Sequence, residues 1–214
     1  MKYEEVYDHQ MTICDPNEDH YNNLMKRCLY GKISSEYLYE YAKQFWVEYK
    51  NNRKFMTIIS NDGHEGTLQV IKYTDKIIYN FLVYLYNNNL FKESIIFLLS
   101  DHGASMPSLY YLSDFYKIEY YLPMLYIIIH DKKNLTYKLQ YENINKNQQT
   151  FISAYDIYNT ISNIIYGDKY ILLNNKTKYK DTPKSPFGQS LFYKINPNLR
   201  YPKLNNGMNK KICV

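Results

Sequence analysis

The sequence predicts an α/β protein built on a largely parallel sheet with helices on both faces. Two patterns indicate this class: short, uniformly apolar runs suit strands buried on both faces, and amphipathic helical segments alternate with them along the chain. With 214 residues, of which 45% are hydrophobic, the chain is also long enough for one domain with a substantial core. Because such sheets bind ligands at the carboxyl ends of their strands, polar residues that directly follow a strand are the first candidates for a site.

The N-terminal part is predicted to contain an irregular lead-in, a helix and a short strand. Residues 1–33 are polar and form the lead-in. Ser34 and Ser35 offer an N-cap for a helix over residues 35–50, whose apolar side chains recur at three- and four-residue spacing. A β-prone run over residues 55–59 then ends in the turn SNDGHEGT.

The remaining elements continue this alternation. Helical spacing of apolar residues predicts a second helix over residues 67–89, and the run SIIFLL predicts a strand over residues 94–99. A looser segment over residues 104–121 leads to LPMLYIIIH, a further buried strand. Residues 151–166 again show helical spacing, and the tail over residues 171–214 is rich in Pro, Asn and Lys and is predicted to be irregular.

Composition and charge argue against several classes of function. The net charge of +5 is modest and the lysines are scattered, so no nucleic-acid partner is predicted. No apolar run reaches the roughly 18 residues that span a bilayer, and no signal peptide is recognised, so no membrane segment is predicted and the localisation stays open. The three cysteines match neither a metal-binding spacing nor a disulfide framework; a Cys14–Cys28 bridge and reduced thiols are both compatible with the sequence.

Two polar turns follow predicted strands and carry candidate metal ligands. Asp101 and His102 come after the strand over residues 94–99 and offer a carboxylate oxygen and an imidazole nitrogen, a pair that suits Zn²⁺ and similar divalent ions. Gly103 permits a tight turn in which both side chains converge on one ion. His64 lies in the turn SNDGHEGT, next to acidic residues. The alternative, that these are ordinary polar turns after strands, also fits the sequence.

No nucleophile is identified from sequence motifs. The chain lacks a Walker-type phosphate loop, a Gly-x-Ser-x-Gly elbow and a His-Glu-x-x-His motif. Ser105 and Ser108 follow the Asp-His-Gly turn, but nothing marks either hydroxyl as a nucleophile. The catalytic residues are therefore unknown from the sequence.

The segment IIFLLSDHG resembles the strand of the alkaline phosphatase and sulfatase superfamily that ends in a metal-binding Asp-His pair. Further segments resemble one branch of that superfamily, a sulfatase-like family of uncharacterised domains found widely in animals. They occur in the family's order and together cover nearly the whole chain. These segments are residues 28–55, 63–67, 75–103, 118–127, 147–164 and 187–200.

The resemblance implies an α/β/α sandwich of the alkaline-phosphatase-like type and metal-assisted hydrolysis of phosphate or sulfate esters. By position, Asp101 and His102 would bind the metal nearest the nucleophile, and His64 would be a ligand of a second metal. The implied cofactor is a divalent metal, zinc or calcium. Relatives of this kind are often associated with the secretory pathway or with membranes.

The resemblance also implies that the sandwich is incomplete. Residues 1–214 correspond to the C-terminal half of the family's domain, so the nucleophile and an early metal-binding Asp would belong to a missing N-terminal half or to a protein partner. Ser60 stands where phosphodiesterase-type relatives have an Asp, and Asp62 is a candidate replacement. Two functions stay open: a hydrolase that is inactive alone and is completed by another segment, and a non-catalytic structural or interaction module derived from the family.

Overall fold

The computed structural model describes residues 28–30, 32–63, 70–92, 94–103, 113–129, 135–167 and 188–196. Within these ranges the chain forms five α-helices and four short strands, which confirms the predicted α/β class. The chain divides into two compact units, Met1–His130 and Asp131–Val214. No helix in the described ranges is long and apolar enough to cross a bilayer.

A short hairpin opens the described part of the first unit. Strand β1 (Cys28–Leu29) pairs antiparallel with β2 (Lys32–Ile33), and Tyr30 between them has a positive φ of 48°. The hairpin lies within the segment that the sequence predicts as an irregular lead-in, and it runs directly into the first helix. Within the described residues, the end of the predicted lead-in therefore has regular structure.

Helix α1 (Ser34–Glu48) confirms the first predicted helix. Its N-cap is Ile33, which has an extended backbone and makes no side-chain cap, so the predicted cap by Ser34 or Ser35 is wrong. Ser35 is buried, and its hydroxyl donates to the carboxylate of Asp62. The hydroxyl thus serves a tertiary contact and not the end of its own helix.

Residues 53–61 contain no strand, so the predicted β-prone run is wrong as a strand. Its side chains alternate as they would in a half-buried strand: Met56 and Ile58 pack against the hydrophobic core, whereas Phe55 and Ile59 are exposed. No strand in the described ranges pairs with it. The alternation therefore reflects one buried face and not a place in a sheet.

Helices α1 and α2 (Val70–Asn87) build the hydrophobic core of the first unit, and α2 confirms the second predicted helix. The rings of Tyr39 and Phe81 meet edge-on with centroids 5.3 Å apart. The indole N–H of Trp46 donates to the carbonyl of Leu90 at 2.6 Å, which ties α1 to the end of α2. The buried members of the core are Tyr39, Ala42, Phe81, Leu85 and Phe91.

Strands β3 (Ile95–Leu99) and β4 (Leu125–Ile129) form an antiparallel pair in which the first residue of each lies opposite the last residue of the other. Both strands are predicted from the sequence, but the predicted parallel direction is wrong for this pair. The end of β3 lies next to the start of β4. Ser100 N–H donates to Met124 O at 3.1 Å, which extends the antiparallel pairing by one residue past the strand ends. A parallel pair would need a crossover that carries the chain back to the start of β3.

A short helix, α3 (Asp114–Tyr121), lies in the connection between β3 and β4, where the sequence predicts only a loose segment. Ser113 caps it, because its Oγ accepts a hydrogen bond from Phe115 N–H at 3.2 Å. The sequence prediction missed this helix because its 8 residues give only about two turns over which helical spacing can be recognised.

The described residues of the second unit form two helices and a segment without regular structure, residues 188–196. Helix α4 (Leu135–Asn147) has no clear apolar stripe and is absent from the sequence prediction. Helix α5 (Ala154–Tyr166) confirms the last predicted helix. At its start, the N–H and the hydroxyl of Ser153 both donate to Asp156 Oδ2, at 2.7 and 2.9 Å.

Buried polar groups hold the segment 188–196 against α5. Gln189 N–H donates to Asp156 Oδ1 at 2.7 Å. Leu191 N–H donates to Thr160 Oγ1 at 2.9 Å. The segment has no helix or strand to satisfy its backbone, so these side chains satisfy it instead. The buried polar side chains of α5 are Asp156, Asn159, Thr160, Ser162 and Asn163.

Candidate metal site at the end of strand β3

The two predicted metal ligands of the Asp-His-Gly turn lie just past the carboxyl end of β3. Only Ser100 separates Asp101 from the strand. The side chain of Asp101 is 88% exposed and that of His102 is 34% exposed, so the carboxylate faces solvent and the imidazole is partly covered. The backbone N–H of His102 donates to Asp101 Oδ1 at 2.9 Å and orients the carboxylate. The turn therefore presents both side chains at the surface, next to each other.

A hydrogen bond within the turn sets the tautomer of His102. Its Nδ1 lies 2.7 Å from the carbonyl oxygen of Gly103. A carbonyl oxygen only accepts hydrogen bonds, so Nδ1 carries a proton and the lone pair of the neutral ring is on Nε2. Metal-binding histidines commonly have this arrangement, in which the second ring nitrogen donates to a carbonyl or a carboxylate.

The distance between the two candidate ligand atoms fits a shared metal ion. His102 Nε2 lies 3.7 Å from Asp101 Oδ2. Two ligand atoms of a tetrahedral zinc site, each about 2.0–2.2 Å from the ion, are roughly 3.4 Å apart. The chemistry also fits, because one anionic oxygen and one neutral nitrogen are common zinc ligands.

Gly103 is required by crowding against α3. A Cβ at this position would lie 1.9 Å from the carbonyl oxygen of Glu119, which leaves no room for any other residue. The backbone N–H of Gly103 donates to Tyr120 O at 3.1 Å. The sequence suggests that Gly103 serves the geometry of the turn; the contacts add that it lets the last turn of α3 approach the site.

Asp62, the candidate replacement for a missing metal-binding Asp, is buried in the first unit with 6% of its surface exposed. Its Oδ2 accepts hydrogen bonds from Thr74 Oγ1 at 2.7 Å and from the hydroxyl of Ser35. Its backbone N–H donates to Ser60 Oγ at 3.4 Å. These contacts tie the turn after residue 61 to both helices of the core, which is a structural use of the carboxylate.

His64, predicted as a ligand of a second metal, lies outside the described residues, as do Ser105 and Ser108. Among the residues that the structure describes, no three His, Cys, Asp or Glu side chains are grouped so that they could hold a metal ion. Within those residues the candidate site is therefore the pair Asp101 and His102, with His64 still a prediction from the sequence.

Tyr120 is a neighbour of this pair that the sequence analysis did not identify. Its ring stacks on the imidazole of His102, with ring centroids 5.2 Å apart and an angle of 29° between the planes. The chain contains 27 tyrosines, so a tyrosine 18 residues after His102 gave no signal in the sequence. The N-cap residue Ser113 before an acidic first turn would have located helix α3, but not the stacking contact.

Comparison with known proteins identifies the family. Residues 10–205 match the family described as "Protein of unknown function (DUF229)", and the chain belongs to this family. This agrees with the resemblance of the ordered segments to a sulfatase-like uncharacterised family; a place in the wider alkaline phosphatase superfamily stays a prediction. No curated protein and no solved structure matches the chain.

Proposed function

We propose that this chain is the metal-binding part of a sulfatase-like, metal-dependent hydrolase of phosphate or sulfate esters. Membership of the DUF229 family and the order of the resembling segments support the class of enzyme. The geometry of Asp101 and His102 supports the metal site. No residue in the described ranges is assigned as the nucleophile, so the proposal places that group outside them or on a partner chain.

One observation carries the proposal: the hydrogen bond from His102 Nδ1–H to Gly103 O, together with the position of Nε2 3.7 Å from Asp101 Oδ2. It directs the nitrogen lone pair and a carboxylate oxygen to one small region at the end of β3. Metal sites commonly combine these two features, an imidazole fixed through its second ring nitrogen and a carboxylate oxygen beside the first.

Each residue of the turn has a distinct task in this proposal. Asp101 supplies a hard, anionic oxygen ligand, and His102 supplies a neutral nitrogen ligand. Gly103 accepts the hydrogen bond that fixes the imidazole and allows the close approach of α3. A divalent metal bound there would neutralise developing charge on the ester oxygens and lower the pKa of a hydroxyl that attacks phosphorus or sulfur.

Calorimetric titration of the chain with Zn²⁺ and with Ca²⁺ tests the metal site. We expect one zinc ion per chain to bind to the wild type, and His102→Ala to weaken the affinity by about tenfold or more. His130→Ala is the control, because this histidine follows β4 in the sequence and is not among the predicted ligands Asp101, His102 and His64. Absence of binding to the wild type, or equal affinity in His102→Ala, would remove the metal site and leave the non-catalytic module as the better description.

Hydrolysis of p-nitrophenyl phosphate and p-nitrophenyl sulfate tests the assignment of the nucleophile. The isolated chain is expected to show no turnover of either ester, with or without added Zn²⁺. Turnover that Asp101→Ala abolishes would mean that the chain carries its own nucleophile. In that case the partner segment is unnecessary.

A further inference from the structure

We propose that Tyr120 is a positioning residue for His102: its ring holds the imidazole in the plane and the tautomer that direct Nε2 towards Asp101. The inference rests on the proposed metal site and extends it from the ligands to the residue that orients them. Histidine ligands depend on such neighbours, because the imidazole otherwise rotates about its terminal torsion and exchanges its two nitrogens.

The stacking contact restrains the plane of the imidazole. The two rings are nearly parallel, with an interplanar angle of 29° and centroids 5.2 Å apart. Rotation of the His102 ring out of this plane would break the face contact and move Nδ1 away from the carbonyl of Gly103, which it now approaches to 2.7 Å. The aromatic contact and the hydrogen bond therefore favour the same orientation.

The backbone of Tyr120 is fixed to the same turn. Its carbonyl accepts a hydrogen bond from Gly103 N–H at 3.1 Å, and a Cβ on Gly103 would collide with the neighbouring carbonyl of Glu119. This contact places the Tyr120 ring relative to His102 without help from the tyrosine side chain. A substitution of that side chain thus removes the stack while the backbone bond stays in place.

The same helix provides a conservative variant and a control. Tyr120→Phe keeps an aromatic face against His102 and removes only the hydroxyl. Phe115→Ala removes an aromatic ring of α3 that is 69% exposed and packs edge-on against Tyr116. A change in helix propensity or the loss of an aromatic side chain from α3 would affect this control as much as Tyr120→Ala.

Nitrogen-15 NMR of the imidazole rings at a pH where they are neutral tests the inference without a metal. We expect the wild type to show His102 with a protonated Nδ1, assigned by comparison with His102→Gln. Tyr120→Ala should move the His102 signals towards a mixture of the two tautomers, whereas Tyr120→Phe and Phe115→Ala should leave them unchanged. Unchanged His102 signals in Tyr120→Ala would overturn the inference. If that variant does not fold, Tyr120→Leu removes the aromatic stack while keeping apolar volume.

Zinc titration of the same variants separates the inference from the proposed function. Tyr120→Ala is expected to weaken zinc binding by about 10-fold, and Tyr120→Phe to restore it. If the wild type binds no zinc but the His102 tautomer signals still change in Tyr120→Ala, the metal site is contradicted and the positioning role of Tyr120 is supported. If the wild type and Tyr120→Ala bind zinc with equal affinity, the metal site stands and the positioning role of Tyr120 is contradicted.

Discussion

The buried carboxylate of Asp62 connects its own turn to helices α1 and α2, because it accepts hydrogen bonds from a hydroxyl group of each helix. Ser35 belongs to α1 and Thr74 to α2, and both donate to Oδ2. All three residues have at most 6% of their surface exposed. Removing the acceptor leaves two buried hydroxyls without this partner, and such groups are costly when water cannot replace the lost bond.

Asp62→Ala is therefore expected to lower the free energy of unfolding by about 2–4 kcal/mol. Urea denaturation measures the change. Asp75→Ala is the matched control, because Asp75 follows Thr74 in the same helix but is exposed, and we expect a change below about 0.5 kcal/mol. Equal stability of the two variants would contradict a structural use of the Asp62 carboxylate.

Tyr39 gives the first unit a specific sensitivity to alkaline pH. Burial, and to a smaller extent the nearby charge of Asp62, raise the pKa of the Tyr39 hydroxyl to about 12. In the unfolded chain a tyrosine ionises near pH 10. The folded state therefore keeps a proton that the unfolded state loses, so the contribution to stability is complete below about pH 10 and is lost as pH rises towards 12.

Tyr39→Phe is expected to lose less stability than the wild type between pH 10 and 12, because phenylalanine cannot ionise. The ring contact with Phe81 is retained in this variant. Urea denaturation at pH 9 and at pH 11.5 gives the loss in free energy of unfolding for the wild type and for Tyr39→Phe. The chain contains 27 tyrosines, and others also ionise in this range. The test is therefore the difference between wild type and Tyr39→Phe in the free energy of unfolding lost, not the absolute loss of either. Parallel pH dependences would show that Tyr39 ionises as it does in the unfolded chain.

At the scale of elements, side-chain periodicity predicts α1, α2 and α5, because each has enough residues on one face to show helical spacing, and short apolar runs predict β3 and β4. Helix α3 is too short for this signal, and α4 has too few apolar residues in a stripe. The direction of β4 could not be predicted from its composition, since apolar strands look alike in parallel and antiparallel pairs. It depends on the connection, in which α3 turns the chain back on itself.

The close approach of the segment 188–196 to α5 gives a prediction for the second unit. A Cβ on Gly188 would lie 2.4 Å from the carbonyl oxygen of Tyr155, so Gly188→Ala must displace the segment or the helix start. The expected result is faster hydrogen exchange of the Leu191 and Ile195 amides, which now donate to side chains of the two helices at 2.9 and 3.0 Å.

Gly63→Ala is the control for that experiment. A Cβ there would lie 3.5 Å from the side chain of Ile71, an ordinary contact, and the residue belongs to the first unit. In Gly63→Ala, the hydrogen exchange rates of the Leu191 and Ile195 amides should match those of the wild type. Unchanged exchange in Gly188→Ala would show that the segment accommodates the extra methyl group.

For the whole molecule, the sequence predicts the α/β class, whereas the metal chemistry of its candidate ligands stays a prediction. Asp101 and His102 are recognisable because a polar pair directly after an apolar run is rare enough to be noticed. The match over residues 10–205 shows the family. Tyr120 could not be predicted, because its contact with His102 depends on how α3 returns to the end of β3. The α/β/α sandwich, and the N-terminal half that would complete it, stay predictions from the resemblance to the sulfatase-like family.

X-ray absorption at the zinc edge shows whether the end of β3 binds a divalent metal through Asp101 and His102. For the 1:1 zinc complex we expect light-atom ligands at about 2.0 Å and outer-shell scattering from an imidazole. That imidazole signal should disappear in His102→Ala and persist in His130→Ala. A spectrum of hydrated zinc in the wild type, or imidazole scattering that His102→Ala leaves unchanged, would show that His102 does not bind the metal.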